Sequence, residues 1–358
     1  MSELDKPENF GKIDKENLLK NIQEFPDQCQ QAWEEIKKII LPSYYLKVSK
    51  IVILGMGGSA IGGDLVKAVV ERKSKIPIFT LRDYDLPGWV DKDSLVIGIS
   101  YSGNTEETLE AFGQAIFKKA KLVALTTNGK LADLARSHKI PLYQFDYKTE
   151  PRQALGFLFS SLLGILNKIA LIDLEDEEFK ECILLLKGLG SKIKPEIPTA
   201  KNPAKNLAEE LYNKIVIVTA ADYLKPVALR FKTQLNENSK QMAFWEELPE
   251  ACHNFIVGLQ FPNKLKEVVF ILSLLSKFEH PRVRTRQNII SEIFNKNKIP
   301  FKDLIIEPAP TVLSEMLSFV YLLDYTSFYL AILNKTDPRP ISNINYLKKK
   351  LEETPWQK

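Results

Sequence analysis

KIVILGMGGSAIGGD, residues 50–64, is the stretch on which the fold turns. Its first half, Ile51 to Leu54, is a run of four branched apolar residues, the pattern of a strand buried on both faces of a parallel sheet. The second half is a glycine-rich turn. Gly55, Gly57 and Gly58 permit positive φ and close approach of a ligand, and Ser59 supplies a hydroxyl where a helix should begin. Free amides at such a helix start attract an anion. A phosphate-cradling P-loop would need Lys-Ser/Thr after its last glycine, and Gly63 is followed by Asp64 and Leu65, which discards it. A dinucleotide fingerprint fits Gly55-x-Gly57-x-x-Ala60, with Asp83 or Asp85 near the expected ribose position. A plain sugar-phosphate site is the third reading, and segments further along must decide.

Downstream, short apolar runs alternate with helical segments: Ile76 to Leu81, Leu95 to Ile99, Leu122 to Leu125, and Pro141 to Phe145. This alternation predicts an α/β fold with a doubly wound parallel sheet. In the order 2-1-3-4-5 the chain leaves strands 1 and 3 in opposite directions, so the loops after them share one crevice. The loop after strand 3 is SYSGNTEE, residues 100–107. Asn104 and Glu107 have capping-box spacing, and one hydroxyl could serve merely as a cap. Three hydroxyls, Ser100, Ser102 and Thr105, exceed what one cap needs. Across the crevice from Gly57, Gly58 and Ser59 they would form a cup for one phosphate, which disfavours the dinucleotide reading.

The 358 residues suffice for two domains. A net charge of +4, from 49 basic and 45 acidic residues spread along the chain, marks no nucleic-acid surface. Cys29, Cys182 and Cys252 have neither metal-ligand spacing nor a disulfide framework, which fits reduced thiols in the cytoplasm. The charged N-terminus MSELDKPENFGKIDKEN has no apolar signal core. Two apolar runs, Leu155 to Ile172 and Val312 to Leu333, are interrupted by Asn167 and Lys168 and by Glu315 and Asp324, so both are expected to be buried core helices and no membrane is expected.

Residues 13–41 have roughly helical apolar spacing broken at Pro26, a helical N-terminal extension. Asp64 is expected to serve a helix dipole, and His138, near a helix C-terminus, has no assigned chemistry. Arg152, after Pro151, stands at the start of a long apolar helix and faces its positive end, a placement better suited to an anion or a developing oxyanion than to the surface. Residues 173–210, with Pro195, Pro198 and Pro203, read as a helix and a linker. A second alternation follows through Lys214 to Val218, Val268 to Leu274 and Leu304 to Ile306, without a glycine-rich turn after Thr219. The expected division is an extension over 1–48, a first α/β domain with the phosphate loops over 49–150, connecting helices and linker over 151–210, and a second α/β domain over 211–358.

Two segments of the second half carry chemistry. In LNENSK, residues 235–240, Glu237 lies between two amides at a helix end, whose negative dipole favours a protonated carboxylate and so a general base. In EACHN, residues 250–254, His253 stands beside an expected crevice. Cys252 is no thiol nucleophile paired with His253, because adjacent helical residues do not face each other.

GMGGSAIGGD (55–64), SYSGNTEET (100–108), PRQALG (151–156), LNENSK and EACHN together resemble, in order, the motifs of the bifunctional phosphoglucose/phosphomannose isomerases, a branch of the sugar isomerase (SIS) superfamily. The resemblance implies two SIS-type α/β/α sandwiches. It implies that Ser59, Ser100, Ser102 and Thr105, with the amides of Gly57 and Gly58, hold a sugar 6-phosphate. Arg152 matches the arginine over the enediolate, Glu237 the base that moves a proton between C2 and C1, and His253 the histidine that opens the ring, contributed by the partner subunit of a homodimer. The closing segment DPRPISNINYLKKKL makes Lys348 the match for the site lysine and Ser342 the candidate hydroxyl for mannose activity.

Aldose–ketose isomerisation needs an acid–base group for ring opening, one carboxylate and one cation, so neither metal nor cofactor is expected. Other readings are a non-catalytic sugar-phosphate regulator, an isomerase for another sugar phosphate and, last, a dehydrogenase. Residues 1–48 contain no basic recognition helix of the kind a DNA-binding regulator carries.

Overall fold

In the computed structural model, which describes residues 2–354, the chain builds two parallel sheets. The first comprises β1 (Lys50–Leu54), β2 (Ile78–Leu81), β3 (Ser94–Ile99), β4 (Lys121–Thr126) and β5 (Leu142–Gln144), in the order β2-β1-β3-β4-β5. This is the order expected from the sequence. β1 and β3 are buried almost throughout because helices cover both faces. Ile51 aligns with Ile78 on one side and Leu95 on the other.

The second sheet comprises β6 (Ile215–Ala221), β7 (Ala243–Leu248), β8 (Val269–Leu274) and β9 (Phe301–Leu304), in the order β7-β6-β8-β9, which repeats the first four positions of the other sheet. Two corrections apply here. The third expected run, Leu304 to Ile306, overshoots β9, which pairs Phe301–Leu304 with Ile271–Leu274. β7 was not expected, because AFWEEL is a half-exposed edge strand that lacks a buried apolar run.

The long apolar helices are core helices, as expected. Leu155–Lys168 packs against the N-terminal helix Phe25–Ile36, and the two approach closely at Gly156 and Gly164. A Cβ at Gly164 would stand 2.3 Å from Ile36 Cγ2, and one at Gly156 would stand 2.5 Å from Gln28 Cβ. Pro26 sits in the first turn of its helix, where its missing N–H costs nothing. Val312–Leu333 is long and apolar enough to cross a membrane by length and composition, but 94% of its apolar window is buried inside the protein. It packs on Asp176–Ile193, Pro203–Leu211 and Lys225–Glu237.

The stretch read as a linker therefore contains a second helix. Asn202 caps Pro203–Leu211 by accepting from the Ala204 and Lys205 amides. Lys205 is fully buried and donates to the carbonyls of Leu4 and Pro195, which ties the N-terminus to this helix.

Candidate active site

The glycine-rich turn folds as its sequence suggests. Gly57 has φ +50° and opens the helix Gly57–Val70, so the Gly57 and Gly58 amides have no carbonyl one turn earlier to bond. Ser59 is buried and its Oγ accepts from the Tyr101 amide at 3.3 Å, which joins the loops after β1 and β3. Ser100 Oγ lies 2.8 Å from Thr105 Oγ1, and Ser102 Oγ accepts from the Asn104 amide at 3.2 Å. The six phosphate candidates thus line two adjoining turns at the carboxyl edge of the first sheet. Asn104 does not form the expected capping box. Thr105 is the N-cap residue of Glu106–Phe117, and Asn104 Oδ1 accepts from the Lys130 amide instead. Gly103, at φ +71°, permits this, since a Cβ there would collide with the Asn128 carbonyl. Asp64 lies beyond the first turn of its helix and pairs with Arg82, so it does not serve the dipole.

Arg152 occupies a short 3-10 turn, Pro151–Gln153, and is only 4% exposed. A Cβ on Gly58 would stand 3.0 Å from the Pro151–Arg152 backbone, so only a glycine lets the phosphate loop reach this turn. The guanidinium donates from Nε to Asn238 Oδ1 at 2.9 Å, and from Nη2 to the carbonyls of Pro338 at 3.0 Å and Arg339 at 2.9 Å. Its Nη1 lies 3.5 Å from Glu237 Oε2 and 3.8 Å from Glu150 Oε2. Burial pulls the proton affinity of this guanidinium down, while the two carboxylates oppose the effect.

Glu237 is the last residue of Lys225–Glu237, at a helix end as expected. Lys240, with φ +54°, turns its ammonium back to donate to the carbonyls of Glu237 at 2.7 Å and Pro338 at 3.1 Å. Partial burial of this ammonium and the Arg152 charge pull it down to about 8, against the opposing Asp337 and Glu237 carboxylates. Lys240, Glu150 and the 338–339 carbonyls carried no signal in the sequence; Asn238 was visible only as an amide beside Glu237.

Neither His253 nor Lys348 joins this group within one chain. Glu237 lies where β7 begins, and His253 lies in a turn, Glu250–His253, after β7 ends, with its side chain exposed. Six residues of strand separate the two edges of the sheet by about 20 Å. Lys348 is exposed on Ser342–Glu352, a helix with no buried residue; Ser342 is its exposed first residue. His138 caps a helix C-terminus, exposed, as expected.

Residues 200–351 match the family model for the bacterial phospho-glucose isomerase C-terminal SIS domain, and residues 44–164 match the SIS domain model. The bifunctional phosphoglucose/phosphomannose isomerase of Caldicellulosiruptor bescii is 38% identical over 337 residues, 94% of this chain and 99% of the relative. The chain belongs to the bifunctional phosphoglucose/phosphomannose isomerase family. The Aquifex aeolicus member is 33% identical over 341 residues, again 94% of this chain and 99% of the relative. Among solved structures, a hypothetical protein of Thermus thermophilus superposes with TM-score 0.69 over 95% of this chain and 91% of its own, at 15% identity, a likeness of fold alone. Both relatives thus match the chain across its two sheets.

Proposed function

We propose that the chain interconverts glucose 6-phosphate, and mannose 6-phosphate, with fructose 6-phosphate through a cis-enediol, without metal or cofactor. Arg152 Nη1, 3.5 Å from the Glu237 carboxylate on a turn that abuts the phosphate loop, is the observation that carries this reading. A phosphoryl group held by Ser59, Ser100, Ser102, Thr105 and the Gly57 and Gly58 amides would extend an open-chain sugar over Arg152 toward Glu237. Glu237 takes the proton from C2, Arg152 stabilises the negative oxygens of the enediolate, and Glu237 returns the proton to C1 while the O2 proton passes to O1. Glucose and mannose 6-phosphates differ only at C2 and give the same planar enediol, which accounts for dual use.

Ring opening falls to His253 of a second copy, because the length of β7 keeps His253 away from the Glu237 of its own chain. The exposed Ile344, Tyr346, Leu347 and Leu351 on the Lys348 helix favour a homodimer, since such a face is normally covered. The division of the chain at about 48, 150 and 210 is supported by the sheets, the first lying within Lys50–Gln144 and the second within Ile215–Leu304. A cytoplasmic location agrees with the free, buried thiols of Cys29 and Cys182.

Incubating purified protein with fructose 6-phosphate in the presence of a chelator, and assaying both aldose 6-phosphates, tests the reading. Formation of both supports it. Binding without turnover, or turnover of a different sugar phosphate alone, overturns it.

A further inference from the structure

Arg152 is held by a ring of buried polar groups that starts on its side chain and returns to its own carbonyl. Its Nε–H donates to Asn238 Oδ1 at 2.9 Å, and Asn238 Nδ2 donates to Ser327 Oγ at 3.0 Å. Ser327 Oγ donates to the Asp324 carbonyl at 2.7 Å. The Asp324 carboxylate accepts from Arg230 Nη2 at 2.5 Å, and the same Nη2 donates to the Arg152 carbonyl at 3.1 Å. All five residues are at most 4% exposed. Arg230, Gln234 and Asn238 are spaced four apart and form one stripe facing Asp324 and Ser327, and Gln234 Nε2 donates to the free Asp324 oxygen at 3.1 Å.

We infer that Asn238 is a positioning residue that aims the Arg152 guanidinium at the reacting oxygens, with Ser327, Asp324 and Arg230 fixing Asn238 and the Arg152 backbone. The inference rests on the role given to Arg152 above. A guanidinium has several rotamers of similar energy, and a cation over the enediolate is useful only when its direction is set before the charge develops. Asn238 supplies that direction because its oxygen accepts from Nε while its nitrogen is already committed to Ser327, so the amide cannot turn. Asp324 would be costly as an isolated buried charge, and its pairing with Arg230 makes breaking the ring on that side disruptive to folding.

The test therefore uses Asn238 and Ser327. Asn238→Leu, close in shape and without polar atoms, should lower kcat about a hundredfold while KM changes less than about threefold. Asn238→Asp, which keeps an acceptor for Nε, should recover activity to within about tenfold of wild type. In an Arg152→Ala background, Asn238→Leu should have no further effect on kcat, since both changes act through one guanidinium. An equal loss in both backgrounds, or an unchanged kcat, overturns the inference. An activity-independent readout separates it from the isomerase reading. Selective arginine labelling should give a slowly exchanging Arg152 Nε–H resonance in wild type and Asn238→Asp, lost in Asn238→Leu and weakened in Ser327→Ala. If wild type lacks isomerase activity but this pattern holds, the reaction is misassigned and the ring stands. If the resonance is unaffected in Asn238→Leu, the ring fails whatever the activity.

Discussion

The two sheets share one strand order, yet the crevices at their carboxyl edges have opposite chemistry. Between β1 and β3 the loops offer Ser59, Ser100, Ser102, Thr105 and unbonded amides. Between β6 and β8 they offer Asp222, Tyr223, Ser276 and Glu279, with Glu315 reaching in from the long core helix to bond the Tyr223 hydroxyl, which also contacts Ser276. The positive backbone angle persists, +50° at Gly57 and +52° at Asp222. The following helix, however, begins Lys225-Pro226, and the proline removes an amide that could face an anion. Topology thus provides a crevice twice, and only the loops of the first offer the hydroxyls and free amides that suit the proposed phosphate site. The second became part of the seam between the halves, where Arg72 pairs with Asp222 and donates to the Phe278 carbonyl.

If the chemistry belongs to the first crevice and its Arg152–Glu237 extension, Glu237→Gln should have the largest effect. Turnover should fall about a thousandfold with substrate binding nearly unchanged, measured by kinetics beside calorimetric binding. Surviving turnover would move the base elsewhere and dissolve the comparison.

The second crevice should instead show itself in stability. Burial, reinforced by the Asp222 charge, pushes Glu279 up from 4.5 to about 7. The folded state holds this proton more tightly than the unfolded chain, so the associated stability is fully present below pH 4.5 and lost as pH rises through 7. The amount is on the order of 3 kcal/mol. Thermal melts should show wild type losing stability between about pH 5 and 8 relative to Glu279→Gln, which lacks the ionisation. Parallel curves for the two proteins would show that this crevice carries no titrating acid.

Giving the first crevice the character of the second should spoil it. Ser102→Asp places a carboxylate in an exposed position of the cup and should raise KM for the sugar phosphate about tenfold, with a smaller change in kcat. Ser276→Ala, in the loop after β8 of the second crevice, should leave KM within about twofold. A similar KM increase from both would mean that the two crevices are not chemically distinct.

The legibility of the sequence follows the same division. β1, β3 and β4 are buried on both faces, so their apolar runs and the glycine turn between β1 and its helix could be read directly. β7 and β9 are edge strands carrying Glu246, Glu247, Lys302 and Asp303, and neither edge requires an apolar run. Lys205 reads as a surface residue, but its ammonium satisfies two carbonyls inside the protein. Glu237 and Arg152 stood out because helix-end electrostatics made their positions unusual. Asn238 and Ser327 did not, since a polar residue in a helix acquires a buried partner only when the second helix packs across it.

The remaining prediction concerns charge balance, the sharpest form of the contrast between the two sites. Cations crowd around Glu237 as carboxylates crowd around Tyr223, and in each place one group is drawn toward neutrality, Lys240 down to about 8 and Glu279 up to about 7. Lys240 carries its charge below about pH 8, where it bonds the Glu237 and Pro338 carbonyls and, in the proposed mechanism, adds to the field of Arg152 on the enediolate. Above that pH the field weakens while Arg152 remains charged. Wild-type kcat/KM should therefore decline about threefold through an alkaline limb near pH 8. Lys240→Arg, whose guanidinium does not titrate in this range, should remove the limb, and Lys240→Met should show the reduced value at every pH. An alkaline limb that persists unchanged in Lys240→Arg would assign the titration to another group, and the cationic crowding at Glu237 would then have no kinetic consequence.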